Sequence, residues 1–413
     1  MLRQISLGLF VGMLGAINPA SGTSLSFHDA LDIAVNKSPN LVSTQALIQA
    51  ERSGIVPAGA LPDPEVFFGI ENYPVSGPDS GHIKSDSMTM QKIGFMQKVP
   101  NSTKRKARTG VAHAKTDVAE ALHRAEQLRI RRDTALAWLN RYYVEQKISL
   151  FSTLDNENRL LESAVRSRVA AGRGQAADLV MPRQEAVQLA DQLDELSSEL
   201  AKAKAALRRH VGIHADLPLA GKPPALNVDP VQSRENISLH PELRVMAAET
   251  RKAVAMIREA QSMKEADWGV ELAYQKRDDR FGNMVSLQFR FELPVSPSTR
   301  QDPLILSRQK EVSKMEATLE ASTQDRVNEL ENMLADYHAL DRQLDRALQV
   351  TLPLVEQKVQ LRHANYRTGK GELPDVIAVR QELIAQRLKI IALEAQRAMT
   401  AARIHFSYEE NTR

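Results

Sequence analysis

Metal-binding and nucleophilic side chains occur in this 413-residue chain, but few are spaced for chemistry. His210 and His214 have the i, i+4 spacing of a helical metal pair, although Gly212 between them suits the end of a helix. Cysteine is absent, which excludes disulfides, thiolate metal sites and cysteine nucleophiles. The sequence also lacks a phosphate-binding loop, a catalytic triad and a carboxylate pair in a catalytic context. We therefore predict no enzyme, no cofactor and no resident metal, and interpret the two histidines as solvated surface, with a metal pair as the alternative.

Three methionines could contact a soft metal ion. Met88, Met90 and Met96 fall on one face of a predicted strand, and thioether sulfur is a ligand of soft metals. Ordinary packing of the strand is the favoured interpretation, because methionine readily fills irregular gaps between other side chains.

Two aspartates, Asp178 and Asp375, each follow a Gly-x-Gly turn at the same distance. If several copies of the chain assembled around an axis, these carboxylates would form a ring that concentrates cations at a narrow opening. Each aspartate could instead favour the start of the helix after its turn, where an acidic group complements the helix dipole. The spacing is compatible with both roles.

These turns belong to an internal duplication. The stretches 172–185 and 369–382 share six identical residues in 14 positions, including both glycines, the aspartate and a final Arg-Gln-Glu. Residues 38–41 and 240–243, each with proline in second place, likewise open matching alanine-rich stretches. The chain is thus predicted to be one structural unit built twice.

Each repeat is predicted to contain a leading helix, two strands, a very long helix and a returning helix. In the first repeat these elements cover about 28–56, 65–73, 87–99, 104–170 and 175–211. In the second they cover about 238–264, 267–276, 283–293, 303–367 and 374–406. The domain organisation follows as a signal peptide (1–22), a first repeat (23–212, β-hairpin 65–99), a Pro-rich linker (213–237), a second repeat (238–408, β-hairpin 267–293) and a C-terminal tail (409–413).

The helix lengths predict how the helices pack. At 1.5 Å per residue the helix 104–170 is about 100 Å long, and the two shorter helices of its repeat match that length end to end. Antiparallel packing would bury the apolar seam that a single helix leaves exposed. Pro353 falls inside the longest helix of the second repeat and should kink it. For the helices alone, a plain coiled coil is the alternative.

The composition is that of an exported protein rich in long helices. Lys and Arg number 54 against 51 Asp and Glu, and a net charge of +3 argues against nucleic-acid binding. Arg3 precedes an apolar run at 5–17 and small residues at 20–22, which predicts a secretory signal peptide over 1–22. A buried N-terminal helix is the alternative. No later apolar run approaches the roughly 18 residues of a membrane helix, so any membrane span would have to consist of strands.

The strands of the second repeat alternate apolar with polar residues, as membrane-barrel strands do. The apolar positions predicted to face lipid are Trp268, Val270, Leu272, Tyr274, Val285, Leu287, Phe289 and Phe291. Four strands cannot close a membrane barrel, about eight fill their interior with side chains, and about twelve leave a lumen. The predicted fold class is therefore mainly α with a membrane β-barrel, in which three chains contribute four strands each. A half-buried soluble hairpin is the alternative.

The duplicated plan and the paired Gly-x-Gly-x-x-x-Asp turns resemble the TolC family of outer-membrane efflux proteins over essentially the whole mature chain. Four further segments resemble the heavy-metal cation branch, which serves cobalt–zinc–cadmium and copper–silver tripartite pumps. They are Leu61-Pro62-Asp63-Pro64, Glu71-Asn72-Tyr73-Pro74, Gln97-Lys98-Val99-Pro100 and Lys104-Arg105-Lys106-Ala107-Arg108.

The resemblance implies a homotrimer in the outer membrane, with a twelve-stranded barrel continued by a helical barrel across the periplasm. The implied partners are a periplasmic adaptor (membrane fusion protein), an inner-membrane, proton-driven pump of the resistance-nodulation-division type, and outer-membrane lipid. The implied adaptor-docking tips are Gly172, Arg173, Gly174, Gly369, Lys370 and Gly371, and the implied periplasmic gate is Asp178, Asp375 and Tyr366. Gly371 stands where some members carry a gate arginine, and the chain lacks the lipidated N-terminal cysteine of others.

The predicted function is the exit duct of a tripartite efflux system that exports heavy-metal cations. The same duct could serve drugs or type I protein secretion instead. A different class of protein, a periplasmic coiled-coil scaffold or adaptor without a channel, is the remaining alternative.

Overall fold

The computed structural model describes residues 24–409. Its α-helices are α1 (Phe27–Lys37), α2 (Pro39–Ser53), α3 (Ile55–Gly59), α4 (Ser102–Ala170), α5 (Val180–Val211), α6 (Pro230–Glu235), α7 (Pro241–Ser262), α8 (Gln301–Arg346), α9 (Leu352–Arg367) and α10 (Leu373–Ile404). Its strands are β1 (Glu65–Glu71), β2 (Met90–Val99), β3 (Asp267–Lys276) and β4 (Met284–Glu292). The predicted signal peptide, 1–22, lies outside the described residues, as do residues 410–413 of the predicted tail.

Helix α4 is the longest element, with 69 residues and a length of about 100 Å. It begins where the Asn101 side chain accepts the backbone N–H of Lys104 at 2.7 Å, which satisfies one of the free donors of the first turn. The shorter helices α2 and α5 of its own repeat both pack along it, and so does α7 of the second repeat. The predicted long helix and its antiparallel packing are confirmed.

The leading helix of the first repeat is interrupted where the sequence predicted one continuous helix over 28–56. Ser38 has an extended backbone (φ −72°, ψ 118°), so α1 ends there and α2 begins at Pro39. A residue that precedes proline avoids the helical region because the proline ring clashes with its backbone. The Ser38 hydroxyl then accepts the N–H of Leu41 at 3.4 Å and caps α2.

Pro353 interrupts the long helix of the second repeat, as predicted. Helices α8 and α9 are separated by a π-helical segment, Ala347–Thr351, and Pro353 lies in the first turn of α9. Proline lacks an N–H, and its ring clashes with the carbonyl four residues earlier, so a wider turn before it relieves the conflict.

The main core lies where α1, α4, α5 and the end of α10 meet. Trp138 of α4 is fully buried, with the Phe27 ring perpendicular to it at 5.4 Å, and its indole N–H donates to the Leu25 carbonyl at 3.3 Å. Arg141, one turn further on, is also buried and donates to two carbonyls at the start of the linker, at 2.7 and 2.8 Å. This part of α4 therefore anchors both the N-terminal segment and the linker to the helical shaft.

The four strands form one antiparallel sheet in the order β1-β2-β3-β4. Strands β2 and β3 pair with each other, for example Phe95 with Leu272, so the hairpins of the two repeats lie side by side. The predicted mainly α fold with duplicated long helices and four strands per chain is confirmed.

Candidate functional site

The first tip turn, Ala171–Gly174, reverses the chain between α4 and α5. Gly172 has φ +71°, a left-handed conformation that side chains with a Cβ rarely adopt. The N–H of Gly172 donates to the Val169 carbonyl at 3.0 Å, and the N–H of Arg173 donates to the Arg168 carbonyl at 2.9 Å. These bonds satisfy the last carbonyls of α4, as glycine-terminated helix ends commonly do.

Asp178 lies between this turn and α5, and its side chain stabilises the turn. Its carboxylate accepts the backbone N–H of Gln175 at 3.0 Å. A Cβ on Gly174 would lie 3.2 Å from a methyl group of Val169 and 3.4 Å from that carboxylate, so this glycine permits a close approach. The predicted helix-start role of Asp178 thus has a direct geometric basis.

The second tip turn, Thr368–Gly371, repeats the same backbone arrangement. Gly369 has φ +75°, and its N–H donates to the Tyr366 carbonyl at 3.2 Å. The N–H of Lys370 donates to the Asn365 carbonyl at 2.9 Å. A Cβ on Gly371 would lie 3.2 Å from the Asn365 Cβ, so the chain packs tightly at this glycine.

Asp375 differs from Asp178 in its contacts. It lies in the first turn of α10, but its carboxylate faces the Arg362 guanidinium at 3.4 Å. Both side chains are about half exposed, so this ion pair contributes little to stability. A partner charge nevertheless compensates Asp375, whereas Asp178 faces a backbone amide.

Tyr366 lies at the point where the two tip turns meet. It is 9% exposed and packs in a small apolar cluster with Leu161, Val165, Leu373 and Val376. Burial raises the pKa of Tyr366 above its usual value, and the nearby charge of Asp178 adds to this effect while that of Arg168 opposes it.

Arg168 is the residue of this site that the sequence interpretation missed. Its guanidinium lies 4.1 Å from the centre of the Tyr366 ring and donates to the Tyr366 carbonyl at 2.7 Å. It also donates to the Arg173 carbonyl at 3.3 Å, so one side chain connects both tip turns. Aligning the repeats on Gly172 and Gly369 would have shown the asymmetry, because Asn365 occupies the position equivalent to Arg168.

The sheet carries a second candidate surface, an apolar face shared by all four strands. The register pairs Trp268 with Phe291, Val270 with Phe289, Leu272 with Leu287, and Tyr274 with Val285. Seven of these eight side chains are between 40% and 69% exposed. The same face continues onto the first repeat through the exposed side chains of Val66, Phe68, Ile70, Ile93 and Phe95.

The opposite face of the sheet is polar and internally paired. Glu271 is only 3% exposed, lies 3.1 Å from the Lys92 ammonium, and accepts a hydrogen bond from Arg290. Gln275 donates to the Ser286 hydroxyl at 2.8 Å. A sheet with one exposed apolar face and one paired polar face is suited to separate an apolar phase from an aqueous one.

The three candidate methionines are not equivalent. Met90 and Met96 lie in β2 on the polar face, where the Met96 sulfur is 3.6 Å from the Arg290 guanidinium. Met88 precedes β2 and is 56% exposed, so the prediction of three methionines on one strand face is wrong for this residue. The reason is that β2 begins at Met90, three residues later than predicted.

The histidine pair lies at a helix end. His210 is in the last turn of α5, and Gly212 (φ +62°) ends that helix before His214. Burial lowers the pKa of His210, while His214 is within 3.1 Å of the Val211 carbonyl. Within residues 24–409 we find no group of three or more His, Asp or Glu side chains that could hold a metal ion. No helix in this range is long and apolar enough to cross a membrane.

Comparison with known proteins gives likenesses of fold. No family model matches this chain, and no curated protein matches it. Its fold is similar to that of CusC, a protein studied for transmembrane channel formation, with a TM-score of 0.77 and 15% identity over 92% of this chain and 91% of CusC. For a membrane protein from Pseudomonas aeruginosa the TM-score is 0.78 and the identity 15%, over 92% of this chain and 90% of that protein. For the outer-membrane protein VceC from Vibrio cholerae the TM-score is 0.72 and the identity 16%, over 92% of this chain and 95% of VceC. The chain therefore shares the fold of these solved structures.

Proposed function

We propose that three copies of this chain form the outer-membrane exit duct of a tripartite efflux system of the TolC type. The observation that carries the proposal is a four-stranded sheet with a continuous exposed apolar face, joined to a helical shaft about 100 Å long. Such a sheet requires an apolar surrounding on one side. Its outer strands, β1 and β4, have free edges that further copies can pair.

The number of strands supports a trimer. Four strands cannot close a membrane barrel, whereas about twelve close and leave a lumen. In such an assembly the apolar face meets lipid and the polar face, with Glu271 between Lys92 and Arg290, lines the interior. Paired charges there would keep the interior wetted without leaving an isolated buried charge.

The tip turns are the proposed docking and gating region. They lie at the ends of α4 and α9, and the sheet lies at the start of α4. We assign Gly172, Arg173 and Gly174, with Gly369, Lys370 and Gly371, to docking of the adaptor hairpin. In the trimer, Asp178, Asp375 and Tyr366 would surround the periplasmic opening, with six carboxylates in total. The contacts of Arg168 add a link that holds the two turns of one chain together.

Heavy-metal cations are the proposed cargo, by analogy with the sequence segments that resemble the heavy-metal branch. The competing cargoes are drugs and exported proteins, which the same duct could carry. A periplasmic scaffold is the alternative from a different class, and the exposed apolar sheet face argues against it because water would surround that face.

Fractionation of cells and growth tests separate these possibilities. The proposal predicts trimers in the outer-membrane fraction that dissociate only on heating, and a deletion strain hypersensitive to metals but not to drugs. Hypersensitivity to drugs alone would support the proposed duct but identify drugs as its cargo. A monomer recovered from the soluble periplasm would refute the duct.

A further inference from the structure

A cavity of about 470 Å³ lies midway along the helical shaft, between α4, the linker, α8 and α10. This volume is within the range of pockets that bind small organic molecules. Its wall combines three tyrosines with aliphatic side chains and one carboxylate: Tyr142, Tyr143, Pro223, Tyr337, Ile391 and Glu394. No residue assigned to the tips or to the sheet face takes part in it.

Glu394 is the distinctive group of this cavity. It is about half buried, and the described part of the chain offers it no hydrogen bond or ion pair. Glu394, Tyr142 and Tyr143 all line the cavity. Burial raises the pKa of Tyr142 and raises that of Tyr143 to about 12, with a smaller contribution from the Glu394 charge in both cases and an opposing one from Arg397 at Tyr143. Within the described residues no hydrogen bond joins either phenol to this carboxylate, so all three polar groups of the lining remain available to a ligand.

The cationic side chains near the cavity do not neutralise Glu394. The Arg397 Nε lies 2.7 Å from the Asp341 carboxylate, and its guanidinium is 5.3 Å from the Tyr337 ring centre. Lys222 belongs to the wall through the linker and is exposed. Burial raises the pKa of Glu394 without an opposing cation, as expected for a carboxylate that lacks a partner.

We propose that this cavity binds an organic cation whose primary or secondary ammonium group contacts Glu394, Tyr142 and Tyr143, which all line the cavity. The ammonium N–H groups would donate to the carboxylate and the phenol oxygens, and the ring faces attract a cation. The organic part of the ligand packs against Ile391 and the proline of the linker. A bare metal ion fits less well, because the cavity offers one carboxylate where hard cations prefer several.

Calorimetric titration of the purified, detergent-solubilised protein tests this proposal, with 4-phenylbutylamine as the probe and 4-phenylbutanol as its neutral counterpart. We expect saturable binding of the amine and binding of the alcohol weaker by about tenfold or more. Glu394→Gln should weaken binding of the amine by a similar factor and leave binding of the alcohol unchanged. Tyr143→Phe, a milder change, should weaken binding of the amine about threefold.

Glu356→Gln is the matched control. This carboxylate lies on α9, pairs with Arg387 at 3.4 Å and does not line the cavity, so the variant should bind the amine like the wild type. Equal affinities for amine and alcohol, or unchanged affinity in the Glu394 and Tyr143 variants, would overturn the proposal. Competition by millimolar Mg²⁺ would assign the cavity to inorganic cations and overturn it too. Because binding is measured on purified protein, the result is independent of the proposed efflux function.

Discussion

The two tip turns have the same backbone and different surroundings. Gly172 and Gly369 adopt nearly the same left-handed conformation, and in both turns the glycine N–H donates to the carbonyl three residues earlier. Around them, however, Asp178 supports the first turn through a backbone amide, while Asp375 faces Arg362. Duplication therefore preserved what the backbone requires and allowed the side-chain contacts of the two copies to diverge.

The starts of the leading helices show the same divergence. Ser38 caps α2 with its hydroxyl, whereas His240, in the corresponding Xaa-Pro position, makes no capping bond at the start of α7. His240 is instead buried, with its ring 5.2 Å from that of Tyr408. Equivalent substitutions in the two repeats should consequently have unequal effects, except where the backbone itself is the constraint.

The largest effect is expected where the repeats are alike. Replacing both Gly172 and Gly369 by Val forces a β-branched residue into a left-handed conformation at each tip, at a cost of about 1–2 kcal/mol or more per turn. Nothing lies within 4 Å of an added Cβ at either position, so the cost is one of backbone conformation alone. We expect efflux and crosslinking to the adaptor to be lost while heat-stable trimers persist.

Gly110→Val is the control for this double variant, since Gly110 lies within α4, has an ordinary φ and also has open space around it. Unchanged adaptor crosslinking in the double variant would show that the turns are not the docking site.

The second prediction concerns the stability of the protein at acidic pH, which we expect to depend on His240 and not on Ser38, its counterpart in the first repeat. Burial lowers the pKa of His240 from 6.5 to about 4, with Arg326 and Arg132 adding to this and Glu242 opposing it. A depressed histidine pKa means that stability is fully present above about pH 6.5 and is lost as the pH falls towards 4, by about 3 kcal/mol at most. His240→Ser, which copies the first repeat, should flatten this dependence.

Thermal unfolding of the solubilised protein between pH 8 and pH 4 measures the effect. If the wild type and the His240 variant lost stability in parallel over this range, the titrating group would have to lie elsewhere.

The third prediction tests the link between the tips. Arg168→Ala removes the contact with the Tyr366 ring and two hydrogen bonds from a charged donor, and should destabilise the tip region by about 2 kcal/mol. Asn365→Ala, at the equivalent position of the second repeat, should cost less than about 0.5 kcal/mol. Hydrogen exchange of the tip amides reports the difference, and equal exchange in the two variants would contradict the asymmetry.

The smallest effect on stability, with a distinct effect on conduction, is expected at the aspartates. Asn at both Asp178 and Asp375 retains much of the capping ability and should change stability by less than about 0.5 kcal/mol. Cation selectivity and block by trivalent cations from the periplasmic side should fall in bilayer recordings, because six charges leave the opening.

Of the single variants, Asp178→Asn should account for more of this change, since Arg362 already compensates Asp375. Selectivity and block that stay unchanged in an assembled double variant would limit both aspartates to supporting their turns.

Local patterns in the sequence predicted the elements that depend on local interactions. Helix α4 was predicted from Lys104 and begins at Ser102, and its end at Ala170 was predicted correctly because Gly172 marks it. The apolar alternation of β3 and β4 correctly grouped their apolar residues on one face, since successive strand side chains point to opposite sides. The failures at Ser38 and Met88 are also local, and concern where an element begins or ends.

Contacts between distant residues were decided only by the tertiary structure. Three features join residues that are far apart in the chain. They are the pairing of β2 with β3, the burial of Glu271 between Lys92 and Arg290, and the position of Arg168 against Tyr366. The sequence by itself determined the repeat, the long helices, the turns and the two-faced strands, because backbone conformation and hydrophobic periodicity are properties of neighbouring residues. Which charges meet was settled by helix packing and strand register, so two turns that share the Gly-x-Gly pattern acquired different partners.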